Sequence, residues 1–384
     1  MSAAPPLGVY VHWPYCARIC PYCDFNVFRA RGREAEAGDL ARAILADLEA
    51  QAALTGPREL VSVFFGGGTP SLMDPAWVAE VVNAARRLWT PAADLEVSLE
   101  ANPTDAETAR FGALADAGVN RLSLGLQALD DAALKFLGRN HDAAQGRRAA
   151  ETAARAFPRL SVDLIYALPG QSAQAWAAEL GAAIDLGAEH ISPYQLTIES
   201  GTAFDRAVRR GTFAPPEEGL AADLYDTTQT VLEGHGFEAY EVSNHARGPA
   251  ARSRHNLVYW RGQDYVGAGP GAHGRLTLGD SRTATVAPDR PDAYIRAVAE
   301  RGVGFIERET LTATDAAEER LLSGLRILDG IPFADVAVLG LTPDHPAVRD
   351  FTELGLLAPD PERLRATPDG RRVLDRLTTE LATA

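Results

Sequence analysis

All three cysteines of this chain, Cys16, Cys20 and Cys23, fall in one loop with the spacing C-x3-C-x2-C, just after a short apolar run at residues 8–13. Nothing else in the sequence constrains the fold as much. Soft thiolates are the usual ligands of iron–sulfur clusters, and three on one tight loop can hold three corners of a 4Fe-4S cube. The fourth iron then has no protein sulfur and is open to a small molecule. Three other readings compete. A structural zinc site normally takes four protein ligands, and only His12 lies near enough to be the fourth. A disulfide with one spare thiol suits a secreted chain, and nothing signals secretion. A c-type haem attachment needs C-x-x-C-H, but Asp24 follows Cys23.

With Tyr22 placed before the last cysteine, the loop resembles that of the radical S-adenosylmethionine (SAM) superfamily. In that superfamily the amino and carboxylate groups of SAM chelate the open iron. The resemblance implies a 4Fe-4S cluster on Cys16, Cys20 and Cys23.

The chain has 384 residues, long enough for one large domain and a small one. Hydrophobic content of 46% and charged content of 23% are ordinary for a globular protein. No apolar run approaches the roughly 18 residues of a membrane span. The segment at residues 1–6 has no basic flank and no apolar core, so a secretory signal is not expected. Three cysteines gathered in one loop fit a reducing compartment, and the expected location is the cytoplasm. A net charge of −15 argues against nucleic-acid binding, which needs a basic face. Lys135 is the only lysine, which we read as codon bias without functional weight.

From residue 8 to about 200, short β-branched runs alternate with longer helical patterns rich in Ala, Leu and Glu. Strands are expected at residues 8–13, 61–65, 95–100, 121–127, 161–167 and 190–197. Helices are expected at 34–54, 75–88, 105–117, 143–156 and 173–186. Six β-α repeats imply a parallel sheet with helices outside, as a barrel or an open doubly wound sheet. The resemblance favours an α/β fold built as an incomplete six-stranded (β/α) barrel, with a small, mainly helical, winged-helix-like domain after it. The expected divisions are a core at 1–235, an extension with a polar linker at 236–290 and the small domain at 291–384. Within that domain Gly355 suggests a turn.

Gly66-Gly67-Gly68-Thr69, Glu100, Gln127, Asp163 and Gln195 all lie at or near the ends of expected strands. In a (β/α) barrel those carboxyl ends build the active site. Glycines there let a ligand approach the backbone closely. A phosphate-binding loop is the rival, but its lysine is absent. Carboxylates can accept from hydroxyl groups, Gln127 can donate and accept, and Arg139 can fork onto a carboxylate.

The segments around Glu100, Gln127, Arg139 and Asp163 are similar to motifs of the branch containing oxygen-independent coproporphyrinogen III dehydrogenase. That similarity implies SAM contacts at Tyr10, Gly67, Gly68, Thr69, Glu100, Gln127, Arg139 and Asp163. Two departures stand out. The dehydrogenase has a further cysteine where this chain has Phe25, and a long extension ahead of the loop, whereas here the first cysteine is Cys16. The short form, with the later His255-Asn256-Leu257-Val258-Tyr259-Trp260, resembles the haem chaperones of the HemW type. Haem as cargo is thereby implied. His255 could be an axial ligand, and Tyr259 and Trp260 could stack on the porphyrin. His12, His245 and His273 are weaker ligand candidates. Expected partners are haem-requiring apoproteins, with a homodimer and peripheral contact with membrane haem proteins as further options. The alternative is a radical SAM enzyme acting on a tetrapyrrole, by dehydrogenation or methyl transfer. The sequence leaves carrier and enzyme open.

Overall fold

The computed structural model describes residues 4–383, so the first three residues of the segment read for a secretory signal lie outside it. Six strands, β1 (Leu7–Trp13), β2 (Glu59–Gly67), β3 (Thr90–Ala101), β4 (Arg121–Gln127), β5 (Arg159–Tyr166) and β6 (His190–Gln195), pair in parallel in chain order. These are the six expected strands. Their residues are largely buried on both faces: in β1, Leu7, Val9, Val11 and Trp13 are buried on one face, where helices cover the sheet, and Gly8 and His12 on the other. The covering helices include α1 (Glu34–Thr55), α2 (Pro75–Leu88), α3 (Ala143–Ala156) and α4 (Ala173–Ile184). Local chemistry starts them. Asp74 caps α2 by accepting from the Ala76 N–H at 2.9 Å with Pro75 next to it. Asp142 and Gln145 form a reciprocal capping box on α3. The single helix expected at 105–117 is two short ones, Asp105–Thr108 and Phe111–Asp116.

Beyond β6, helix α5 (Glu218–Gly234) leads to β7 (Glu238–Glu241) and β8 (Asn244–Ala246), which add antiparallel strands beside β6. The chain then passes through α6 (Arg254–Trp260) to the opposite edge. There β9 (Asp264–Ala268) pairs in parallel with β1. The antiparallel strands β10 (His273–Leu278), β11 (Ser281–Val286) and β12 (Glu307–Thr310) complete that edge. The sheet runs β12-β11-β10-β9-β1-β2-β3-β4-β5-β6-β8-β7 and does not close. Side chains of β2 to β6 face one shared cavity, so this part of the sheet curves as an incomplete barrel.

Two expectations change. The polar stretch 279–291, read as a linker, contains β11 and the two-residue Gly279-Asp280 hairpin turn. Its inward positions, Thr283 and Thr285, are polar yet buried, which removes the apolar alternation that marks a strand. The segment from 291 also belongs to the main body. Tyr294 of helix α7 (Pro291–Arg301) donates to Asp47 Oδ2 of α1 at 2.7 Å, and the Gly304 N–H donates to Asp47 Oδ1 at 2.8 Å. A separate small core, with Leu321, Leu325, Ile331, Val336, Leu364 and Leu377, begins only after β12. It is mainly helical, with one short antiparallel pair, Ile331–Pro332 with Arg363–Leu364. Gly355 makes the expected turn there, at φ 75°.

One buried carboxylate ties the late chain to the early strands. Glu96 of β3 accepts from the Arg254 and His255 N–H groups at the start of α6, both at 3.1 Å, and from Arg159 Nη1 of β5 at 2.7 Å. Burial opposes its ionisation, but Arg121, Arg159 and the two amides outweigh burial and hold it below the ordinary carboxylate range. Arg159 also donates to the Arg252 carbonyl at 3.0 Å and to Glu189 at 2.8 Å. Replacing Glu96 by Gln removes the buried charge that Arg121 and Arg159 share, leaving Arg159 only the part-exposed Glu189, so we expect a loss on the order of 3–5 kcal/mol. Denaturant unfolding of the variant reads this, and an unshifted midpoint would show that Glu96 does not carry the connection.

Candidate cluster and ligand site

The loop after β1 is stitched to the end of β2 by its own backbone. The Gly68 N–H donates to the Trp13 carbonyl at 2.7 Å, and the Thr69 N–H donates to the Tyr15 carbonyl at 2.9 Å. A side chain on Gly68 would put its Cβ 2.7 Å from the Pro14 carbonyl carbon, so only glycine permits this approach. A two-residue parallel pair, Tyr15–Cys16 with Phe28–Arg29, closes the base of the loop. Within it the Cys23 N–H donates to the Cys20 carbonyl at 3.2 Å. All three thiols are free and line one cavity of about 390 Å³.

The same cavity is lined by Gly67, Gly68, Thr69, Glu100, Gln127, Arg139 and Asp163. These residues come from the ends of successive strands, which the parallel sheet delivers to one face. Arg139 reaches the loop: its Nη1 donates to Cys20 Sγ at 3.3 Å and to the Tyr22 hydroxyl at 3.4 Å. Its Nη2 donates to the Gly125 carbonyl at 3.0 Å and also to Asn102 Oδ1. Most of its fork is therefore used within the protein, while its Nε has no partner among the described residues. Gln127 has φ 67°, in the left-handed region that a non-glycine residue rarely adopts, at a register shift between β4 and β5. Such strain gathers at ligand sites.

Two half-buried carboxyls, Glu100 and Asp163, line this cavity. Glu100 accepts from the Gly67 N–H at 3.1 Å, and its carboxyl is pushed up to about 8, first by burial and then by Asp163. Asp163 is also raised by burial, which the 2.9 Å bond from Ser123 opposes. Its Oδ1 has no partner among the described residues, although it is buried beside the cavity. Such an atom is an acceptor waiting for a donor.

Sequence reasoning missed three neighbours. Arg121 opens β4, is buried beneath Glu100 and Asp163, and lowers the cost of both acids. Asn102 bridges Thr69 and Arg139, donating to Thr69 Oγ1 at 3.2 Å. Asn256, inside the later aromatic motif, reaches this cavity instead of the second one. Its place beside His255 was visible in the sequence, but the direction of the helix face was not.

Tyr10 lies one step away. With His12, Phe25, Tyr259, Tyr265 and His273 it lines an adjoining cleft of about 370 Å³ that shares Gly67, Glu100 and Phe25 with the first cavity. His255, Tyr259 and Trp260 are not brought together as one face. His255 is buried with Nδ1 bonded to Ser62 Oγ at 2.8 Å and Nε2 to the Tyr259 hydroxyl at 2.7 Å, and its ring stacks on Phe64 at 4.8 Å. Burial pushes its pKa down to about 3. Trp260 packs toward Tyr240 at 6.0 Å, outside both cavities.

The chain matches the radical SAM superfamily over residues 10–183 and the HemN C-terminal domain over residues 311–373. It is 34% identical to the heme chaperone HemW of Escherichia coli over 98% of both chains. It is also 40% identical to the mitochondrial radical S-adenosyl methionine domain-containing protein 1 of Bos taurus, over 97% of this chain and 87% of the relative. The chain belongs to the HemW family of the radical SAM superfamily. Its fold superposes on the coproporphyrinogen III oxidase HemN of Escherichia coli with a TM-score of 0.81, at 21% identity over 99% of this chain and 91% of that one. No helix among the described residues is long and apolar enough to cross a membrane.

A radical SAM domain implies a 4Fe-4S cluster and SAM, and the residues fit both. No three His, Cys, Asp or Glu among the described residues are grouped to hold a single metal ion. A cube instead takes one thiolate on each of three irons. Burial pushes the Cys16 thiol up to about 11, a cost that metal ligation removes. The unpartnered Asp163 Oδ1 and the strained Gln127 are polar groups at the same cavity, of the kind a hydroxyl-rich ligand requires.

The Glu100 value gives a pH test. Its folded pKa lies above the ordinary 4.5, so the fold favours the acid form. That contribution is complete below about pH 4.5, falls as pH rises and is gone above about pH 8. Cluster-free wild type should therefore lose stability relative to Glu100→Gln across this interval, with no further divergence beyond it. Denaturant midpoints at a series of pH values read the difference. Parallel profiles would mean that Glu100 is ionised throughout.

Proposed function

We propose that this chain is a haem chaperone on a radical SAM scaffold, holding a 4Fe-4S cluster, SAM and haem and passing haem to haem-requiring apoproteins. The observation that carries this reading is the pair of adjoining cavities: a polar one edged by three thiols, and an aromatic one suited to a flat cargo. Cys16, Cys20 and Cys23 would hold the cluster. Gly67, Gly68 and Thr69 would offer backbone groups to the amino acid head of SAM. Glu100, Gln127 and Asp163 would face its hydroxyls, Arg139 would face its carboxylate, and Tyr10 would close the side toward the second cleft. When bound, cluster and SAM supply reductive radical chemistry. The relatives named heme chaperone support carriage of haem as the outcome. Three thiols gathered in one loop support a reducing compartment such as the cytoplasm.

The enzyme reading differs in its products. Anaerobically reconstituted protein, given reductant, SAM and either haem or coproporphyrinogen III, should return haem intact and leave coproporphyrinogen untouched in mass spectra. A decarboxylated or methylated tetrapyrrole accompanied by 5′-deoxyadenosine would make this an enzyme and overturn the carrier.

Replacing any one of Cys16, Cys20 and Cys23 by Ala should remove the brown chromophore and most of the bound iron. Full iron content in any of the three variants would refute the assignment of ligands.

A further inference from the structure

We propose that haem is held in the aromatic cleft beside β1, with His273 as its axial ligand. This deepens the carrier reading and rests on it. Tyr10, Phe25, Tyr259 and Tyr265 give the cleft aromatic walls, with the Tyr259 and Tyr265 rings edge to face at 4.5 Å. Phe25, on the thiol loop, is 61% exposed. Aromatic walls about a slot open to solvent suit a flat macrocycle whose propionates stay in water.

The histidine follows from elimination: His141, His235, His245 and His345 do not line the cleft, and of the other four rings only one has no hydrogen bond among the described residues. His12 is bonded at Nδ1 to the Tyr10 hydroxyl at 2.9 Å and at Nε2 to the Asn26 carbonyl at 2.9 Å. His255 is likewise bonded at both nitrogens. His190 is fully buried, with Ser161 and Tyr240 on its nitrogens. His273 is exposed and lines the cleft. Iron needs a nitrogen lone pair, and His273 presents one without first losing an internal hydrogen bond.

The backbone holds that imidazole in place. β9 ends at the same face as β1 and β2, and the turn after it returns the chain at His273, the first residue of β10. Asn26 Nδ2, three residues past Cys23, donates to the Pro270 carbonyl of this turn at 3.1 Å and to the Asp289 carbonyl at 2.7 Å. Gly271 has φ 74°, and a Cβ there would lie 2.6 Å from Asn26 Nδ2, so only glycine allows the loop to dock on the turn. The Gly271 N–H donates to the Pro288 carbonyl and the Ala287 N–H to the Ala272 carbonyl, each at 2.9 Å. The turn is thus fixed on both sides, to the thiol loop and to β11.

Haemin titrated into cluster-loaded, SAM-bound protein tests this. Difference spectra in the Soret region are compared for wild type, His273→Ala, His255→Ala and His235→Ala, the last an exposed histidine just after α5 and outside both cavities. We expect one haem per wild-type chain with a histidine-ligated spectrum. His273→Ala should shift the Soret band and weaken binding about tenfold or more, and free imidazole should restore the wild-type spectrum. His235→Ala should match wild type. An unchanged titration for His273→Ala, or loss of the ligated spectrum only in His255→Ala, would overturn the ligand assignment while leaving the carrier reading intact. Wild type that binds no haem would overturn both.

Discussion

The fold depends on a fully buried acid. Glu96 can remain ionised inside the sheet only because two arginines and two backbone amides converge on it. In return it fixes the start of α6, and α6 is the segment that carries the chain from one edge of the sheet to the other. The parallel strand β9 and the hairpin beyond it follow from that crossing. Removing a partner from such a network costs more than the network contributes, because the remaining charge has no water to return to. The same connection contributes to the second cavity, because α6 supplies Tyr259 to its lining.

Above that floor the interior carries a second set of charges. Glu100 and Asp163 share one cavity with Arg121 beneath them, and burial drives both acids toward the neutral form. An apolar barrel of the same size would be simpler to stabilise. Polar groups that stay unsatisfied in the protein, such as Asp163 Oδ1, are what a ligand rich in hydroxyls and charge requires. The adjoining cleft is different in kind, aromatic and open to solvent. Phe25 belongs to both, so the loop that bears the thiols also forms a wall of each.

The first two hundred residues were legible because apolar strand runs alternate regularly with longer helical patterns, several of which open on a capping side chain. Asp74 marks a start that the structure keeps, whereas at the next helix the cap is Thr104 and not Asp105. The polar residues at strand ends, Gly67, Glu100, Gln127 and Asp163, were legible for the same reason: parallel strands share one carboxyl face. Later segments were harder. β9 is brief and runs into the turn Gly269-Pro270-Gly271, and β11 turns threonines inward, so neither shows the apolar alternation of a strand. His255 looked like a ligand because an aromatic motif surrounds it, but its partner Ser62 is distant in sequence and lies on β2.

What the sequence determined by itself was local and chemical: three thiolates on one loop, a β-α alternation, and acceptors at strand ends. Spacing along the chain was enough, since each depends on neighbours within a few residues. Only the tertiary structure decided which histidine presents a free nitrogen to the cleft, which face of α6 meets the polar cavity, and that a second, aromatic cleft exists beside the first. Those properties come from contacts between segments far apart in the chain, such as Glu96 with Arg254 and Asn26 with Pro270. A ring nitrogen is free or engaged according to what packs against it, and packing partners are set by the fold.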